Sequence, residues 1–479
     1  MVLNLVPLLP EIFLSICAMG LLLVGASFGN ESTRVVSWYS AVASFVAIII
    51  VLNIGVDDSA VLNGLFKLDV FASTLKVIIL TGVIASIALS VRYLIQQDIA
   101  RFEYPILILL SAVGMMIMVS ANNLLALYVG LELQSLALYV LAGFNRNSLR
   151  SSEAGIKYFI LGALSSGLLL FGISLVYGFT GSIDFAVIEA YLNASEAMIF
   201  GVVFGLVFIL AGLAFKVSAV PFHMWTPDVY HGAPTSVTAF FAMVPKIAAM
   251  GLLMRLLFEP FGAMAEQWMQ IIYFLAMASM VVGAFGAIAQ TNFKRLLAYS
   301  SIANMGFALI GVVAGTEQGV AAVILYLIIY MVMTAGVFAV VLCMRRDGLV
   351  LEKISDLAGL SRNHPFLAYG LAILMFSLAG IPPFAGFFGK LAVFSAAVEA
   401  EYYVLAVVGV LSSVVGAYYY LRIIKVMFFD EVEDAYDEAL PLARKAVLMA
   451  SLFFVVFFIV KPGLIIEVSQ NAASSLFTG

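Results

Sequence analysis

Charge is what this chain has least of. Of its 479 residues, 11% are charged and 64% are hydrophobic, whereas an ordinary soluble domain is roughly 25% charged and 45 to 50% apolar. A soluble fold is excluded. Cysteine is nearly absent: Cys17 and Cys343 each stand alone in an apolar run, with no CxxC and no ligand spacing, so both are expected to be small packing residues. Without a cysteine ligand set, a haem motif or a GxGxxG fingerprint, the chain holds no iron–sulfur, haem or dinucleotide chemistry of its own. No Lys or Arg precedes Arg34 and no clear cleavage site follows the first apolar run, so the N-terminus reads as a retained helix rather than a signal peptide. No metal site and no nucleic-acid partner are expected.

Apolar runs are what the sequence has in excess. A helix needs about 20 apolar residues to cross a hydrocarbon core, and fourteen such spans are expected, at about 8–28, 35–54, 70–94, 103–120, 123–144, 154–178, 198–227, 234–258, 267–290, 294–315, 320–344, 366–399, 402–428 and 443–467. The runs are continuous rather than alternating, which excludes a β-barrel and leaves an all-α polytopic membrane protein. Loops after odd-numbered spans carry fifteen Lys and Arg residues, and the other set carries three, Lys67, Arg255 and Lys461. The positive-inside rule then puts the first set in the cytoplasm, or the mitochondrial matrix, and both termini outside.

The remaining cations, Lys76, Lys157, Lys216, Lys246 and Lys390, lie inside spans. A charge at the bilayer centre costs roughly 2.5 to 3.5 kcal/mol even on the lenient insertion scale, which makes each a functional hypothesis. Lys76 is near the outer end of the third span, from which its stem is expected to snorkel, so Lys76→Ala should change little. Lys157 follows Glu153 at the i, i+4 spacing of a surface ion pair, and position alone leaves its role open. Glu132 is near the middle of the fifth span, in NNLLALYVGLELQSLALYVLAG, about nine residues or roughly 14 Å from either end at 1.5 Å per residue, and needs a cation or water. Lys246 is equally central and follows Pro245, which frees a backbone carbonyl.

Lys216 and Lys390 stand beside helix breaks, at Pro221 in LAFKVSAVPFHMWTPDVYHGAPT and at Pro382 and Pro383 in LAGIPPFAGFFGK. Interrupted helices at membrane depth are tolerated where they line a polar cavity. The broken spans are the seventh and the twelfth, so spans 4–8 and 9–13 read as two inverted five-helix repeats, with Asn123 and Leu127 answering Asn292 and Leu296. The expected divisions are 1–102, 103–260, 261–429 and 430–479. Burial of an ammonium favours its neutral form and a nearby carboxylate its charged form, so moving either the carboxylate or water loads or discharges a lysine. Glu132 with Lys216 is the expected first pair, Lys246 and Lys390 are later stations, and His223 is a bridge at the break. His231 and His364 are expected to be structural.

The stretch SAVPFHMWTPDVYHGAPT, with Lys216 before it and Lys246 after it, resembles the central signature of the antiporter-like, proton-translocating membrane subunits of respiratory complex I, relatives of Mrp-type cation/proton antiporters. YVGLELQSLALYVLAGF, EAGIKYFILGALSSGLLLFG and LAGIPPFAGFFGK resemble the subunit N (chain 2) family in particular, and the likeness covers essentially the whole chain. It implies a fourteen-helix fold with helices 7 and 12 discontinuous, and protons moving along a central hydrated axis. It implies that Glu132 is the fifth-helix glutamate, Lys216 the seventh-helix lysine, Lys246 the eighth-helix lysine and Lys390 the twelfth-helix residue. Subunit M usually has glutamate at that last position, and subunit L continues into a long lateral helix, so neither fits. Lys157 matches a sixth-helix lysine characteristic of subunit N. FMN, iron–sulfur clusters and quinone are expected in partner subunits, with subunits M and K and lipids as neighbours. A free or Mrp-type antiporter subunit and a hydrogenase membrane subunit share this core and are the alternatives.

Overall fold

The computed structural model describes residues 5–55, 57–62, 64–195, 199–431, 435–437 and 440–477. The first half comprises α1 (Leu9–Phe28), α2 (Thr33–Asn53), α3 (Val70–Gln96), α4 (Glu103–Ser120), α5 (Leu124–Ala142), α6 (Leu149–Thr180), α7 (Phe185–Ala194), α8 (Phe200–Val217), α9 (Trp225–Gly232) and α10 (Thr235–Phe258). The second comprises α11 (Ala265–Ile288), α12 (Phe293–Val313), α13 (Glu317–Val341), the single turn α14 (Leu360–Asn363), α15 (Pro365–Ala379), α16 (Ala385–Glu399), α17 (Tyr403–Phe429), α18 (Leu442–Phe457) and α19 (Gly463–Ser474). Side-chain caps begin several of them, as an N-terminus with orphan N–H groups requires: Asp69 accepts from Ala72, Asn123 from Ala126, Asn292 from Arg295 and Thr316 from Gly319.

Among the described residues, twelve helical stretches are long and apolar enough to cross a membrane, and one of these, Val6–Asn53, contains both α1 and α2. The expected seventh span, whose residue 198 lies outside the described ones, is divided into α8 and α9, and the twelfth into α15 and α16. One expected span needs correction. The last span is not continuous, because Pro462 cannot extend α18 and the chain restarts as α19. The link before α8 contains the amphipathic α7.

α10, α12 and α13 form the centre of the bundle and are buried almost all round, whereas α6, α17 and α18 present apolar faces outward. Close approach of α6 to α8 depends on missing side chains. A Cβ at Gly172 would stand 2.5 Å from the Gly205 carbonyl oxygen, the small-residue contact typical of membrane helices. Some local features recur in the two halves of the chain. Asn123, at the start of α5, forms a β-bridge with Asp184, and Asn292, at the start of α12, forms one with Lys353. The first broken pair has Ser218 in the left-handed region at φ 63°, and the second has Gly380 there at φ 85°.

At one end of the bundle a largely buried ionic network ties α10 to α3. Arg255 donates to both Asp69 oxygens at 2.8 Å, to Glu259 at 2.7 Å and to the Val119 carbonyl at 2.9 Å, and Lys67 lies 3.6 Å from Glu259. Lys76 belongs to this end too, and it does not snorkel. Its ammonium is fully buried and 2.7 Å from the Glu11 carboxylate, fastening α3 to α1. Removing one partner of a buried pair strands the other charge, so Lys76→Ala should destabilise the fold by about 3 to 5 kcal/mol. Joint replacement by Lys76→Met and Glu11→Gln should recover most of that loss. Thermal unfolding of the purified protein checks both, and an unchanged midpoint for Lys76→Ala would dismiss the pair.

Candidate functional site

Both helix breaks are stitched by polar contacts rather than left open. After Val217 the chain turns back on itself: Ala219 N–H donates to the Ala214 carbonyl at 2.8 Å, Val220 N–H to Ser279 Oγ on α11 at 2.9 Å, and Trp225 Nε1 to the Phe215 carbonyl at 2.9 Å. Orphan carbonyls at the end of α8 are thereby satisfied in a region without bulk water. The second break instead offers its carbonyls to a lysine. Lys390, on α16, donates to Leu378 O at 3.0 Å and Ala379 O at 3.1 Å, the last residues of α15, and to Ser413 Oγ at 2.7 Å. Gly380 makes this possible, since its φ of +85° suits glycine and a Cβ there would crowd the Lys390 side chain at 2.9 Å.

Lys216, Lys246 and Lys390 are all buried, and among the described residues none has a carboxylate within ion-pair distance. Lys216 donates to Ser135 Oγ at 2.8 Å and Tyr139 Oη at 3.2 Å, both on α5. Lys246, on α10, donates to Ser301 Oγ on α12 at 2.5 Å and lies 5.6 Å from the Tyr230 ring. Lys390 lies 4.9 Å from the Phe307 ring. Hydroxyls, carbonyls and ring faces solvate ammonium groups without neutralising them.

Glu132 is half-buried on α5, one turn before Ser135, and among the described residues it makes no hydrogen bond or ion pair with Lys216, whose donors go to Ser135 and Tyr139. One of its oxygens is buried without a hydrogen-bond partner. Leu125, Val129, Leu136 and Val140, at helical spacing around it, are about half exposed. Glu132 therefore interrupts an outward-facing apolar stripe.

Between Lys246 and Lys390 runs a set of polar side chains on α12, α13 and α17. Tyr330 Oη donates to Ser301 Oγ at 2.8 Å, Tyr326 Oη donates to Asn304 Oδ1 at 2.6 Å, and Ser300 Oγ and Tyr420 Oη share a bond of 2.6 Å. A cavity of about 10 Å³, lined by Ser300, Tyr330, Thr334 and Leu378 among others, is roughly the space one water needs. Sequence reasoning missed these residues. The signal was present: Ser300, Ser301 and Asn304 share a helix face, as do Tyr326, Tyr330 and Thr334, within otherwise apolar spans.

Lys157 is placed apart from the buried lysines. It is half-exposed on α6 and contacts Glu153 and Asp228 at 2.8 Å each. Arg295 reaches the other Asp228 oxygen at 2.7 Å. Nearby, Glu352 contacts Lys294 at 2.7 Å, Arg150 at 3.3 Å and His231 at 3.8 Å. Burial pushes the Glu352 carboxyl up, but the Lys294 ammonium and Arg150 outweigh it and hold the group below its ordinary value. His231 is thus part of an ionic cluster, while His364 stacks on Tyr436. His223 lies in the turn after Pro221, half-buried, with Nδ1 enclosed and without a partner.

The family model described as "NADH:quinone oxidoreductase/Mrp antiporter, TM" matches residues 121–416. The NADH-quinone oxidoreductase subunit N of Parvibaculum lavamentivorans is 55% identical over 98% of this chain and 97% of its own length, and that of Methylobacterium nodulans is 53% identical over 98% of each. Among solved structures, a chain of respiratory complex I from Thermus thermophilus superposes with a TM-score of 0.81 at 30% identity, covering 96% of this chain and all of its own. A chain of the Mrp complex from Dietzia shares the fold, with a TM-score of 0.84 at 23% identity over 99% of this chain and 98% of its own. The chain belongs to the NADH-quinone oxidoreductase subunit N family of antiporter-like membrane proteins.

Proposed function

We propose that this chain is the proton-translocating membrane subunit of an NADH:quinone oxidoreductase, and that protons move among Glu132, Lys216, Lys246 and Lys390. The observation that carries this is the set of three buried lysines without contacting carboxylates, two of them at helix breaks. An unpaired ammonium removed from water costs several kcal/mol, whereas the neutral amine costs far less, so each site suits a proton that arrives and leaves. Ser301, Tyr330, Asn304, Tyr326 and a water in the small cavity extend the path from Lys246 towards Lys390. His223 serves at the first break and Lys157 at the mouth of the path. Residues 1–102, 103–260, 261–429 and 430–479 form the N-terminal helices, two inverted repeats and the last helices, in fourteen crossings.

The basic end of the bundle faces the cytoplasm of a bacterium, or the matrix of a mitochondrion, and both termini face outward, as the distribution of Lys and Arg favours. FMN, iron–sulfur clusters and quinone belong to partner subunits, so the driving force reaches this chain as a movement or a field. The exposed stripe with Glu132 at its centre favours a second membrane subunit on that face, subunit K or M, because a half-exposed carboxylate at mid-membrane is costly against lipid.

Glu132→Gln and Lys216→Ala should each leave the complex assembled and lower NADH-driven proton pumping about tenfold or more. Wild-type pumping by both assembled variants would overturn the assignment. Ser301→Ala removes the acceptor shared by Lys246 and Tyr330, leaves buried donors unmet at a cost of about 1 to 3 kcal/mol, and should slow pumping about tenfold. If Ser301→Ala pumps normally, the path does not run through this hydroxyl.

A further inference from the structure

The mouth of the path has a construction that the buried lysines do not explain. On the basic end a cavity of about 240 Å³ opens between α6 and α9, lined by Arg150, Glu153, Ala154, Lys157, Asp228 and Arg295 among others. It does not lead straight to Lys216. Below Ala154, one helical turn deeper on α6, lies the buried Tyr158. Its ring stacks on Trp225 of α9 at 4.5 Å and 15°, meets Phe241 at 5.6 Å, and packs edge-on to Tyr139 at 4.9 Å. Tyr139 is the residue whose hydroxyl accepts from Lys216. One aromatic layer therefore separates the aqueous cavity from the first buried lysine.

Trp225 and Asp228 are three residues apart on the same short helix, so they share a face, with Asp228 towards the cavity and Trp225 in the layer. Asp228 is the point at which α9 is held. One oxygen accepts from Lys157 on α6, in the first block, at 2.8 Å; the other accepts from Arg295 on α12, in the second block, at 2.7 Å. Lys294, beside Arg295, donates to the Ala233 carbonyl at the end of α9 at 3.1 Å.

Building on the function proposed above, we propose that Asp228 is a positioning residue for proton uptake. By accepting from both blocks at once it keeps Trp225 against Tyr158, and release of either cation lets the stack part and water reach Lys216. Lys157 then acts as one arm of a latch rather than as a station that carries the proton. The latch acts on a half-helix of two turns that packs between α6 and α12, so the two arms of Asp228 join the elements on either side of it.

Exposed ion pairs contribute little to overall stability, so Asp228→Asn should fold and assemble. The test uses the whole complex in inverted membrane vesicles. Ser166→Cys places a thiol beneath the layer, at a buried position beside Tyr139, and Ala154→Cys places one in the cavity. A charged, membrane-impermeant thiol reagent, added from the cytoplasmic face, should label Ala154→Cys readily with Asp228 present. In the Asp228→Asn background it should label Ser166→Cys about fivefold faster than with Asp228, the factor that one exposed pair supplies. Asp228→Glu should restore slow labelling. NADH-driven pumping should fall in Asp228→Asn while quinone reduction continues.

Equal labelling rates for Ser166→Cys with and without Asp228 would overturn the latch. Should Asp228→Asn fail to assemble, Lys157→Gln and Arg295→Gln each release one arm and should each raise the Ser166→Cys rate; no increase with either, or with both together, overturns it equally. The underlying function fails by a different result, namely undiminished pumping in Lys216→Ala and Glu132→Gln.

Discussion

A positive charge without a carboxylate beside it, held at mid-membrane depth, is the constraint around which this fold is arranged. Three such charges, each costing roughly 2.5 to 3.5 kcal/mol on the lenient scale, amount to a large part of the 5 to 15 kcal/mol by which folded proteins are usually stable. The bundle meets that cost with partial solvation. Lys216 has two hydroxyls, Lys246 a hydroxyl and a ring, and Lys390 two carbonyls, a hydroxyl and a ring. None of these partners cancels the charge, so the lysines remain able to give it up.

Helix breaks follow from the same requirement. A continuous helix consumes its own carbonyls, and only an interrupted one has any to offer a lysine. At the second break the freed carbonyls of Leu378 and Ala379 go to Lys390, with Gly380 supplying both the left-handed turn and the empty space. At the first break, side chains from elsewhere take up the free groups, through Ser279 and Trp225. The two breaks resemble each other in backbone and differ in use.

Ionic networks at the two ends differ in burial, and the difference has mechanical consequences. The Asp69, Arg255 and Glu259 cluster is enclosed and bidentate, an arrangement that fixes α10 firmly against α3 because any rupture exposes a charge to hydrocarbon. The Lys157, Asp228 and Arg295 cluster is half open to solvent, where water replaces a lost partner at little cost. One end of the bundle is held by an enclosed cluster, and the other carries a half-open cluster beside the half-helix α9.

By itself the sequence determined the membrane class, the breaks at Pro221 and Pro382, and the burial of Lys216, Lys246 and Lys390, because hydrophobic length, missing N–H donors and the cost of a charge in lipid are all local properties. Family membership was legible in motifs around those residues. Pairing was not. Nothing in the third span distinguishes a lysine that reaches the surface from one that meets Glu11 across 65 residues of chain, which is why Lys76 was misjudged. The i, i+4 spacing to Glu153 leaves the role of Lys157 open, and only the packing of α6 against α9 turns it towards Asp228 as well. The separation of Glu132 from Lys216, the hydroxyls around Ser301 and the sharing of Asp228 between α6 and α12 were likewise decided by packing. Each depends on which helices become neighbours, and that is set by the whole bundle, not by any one segment.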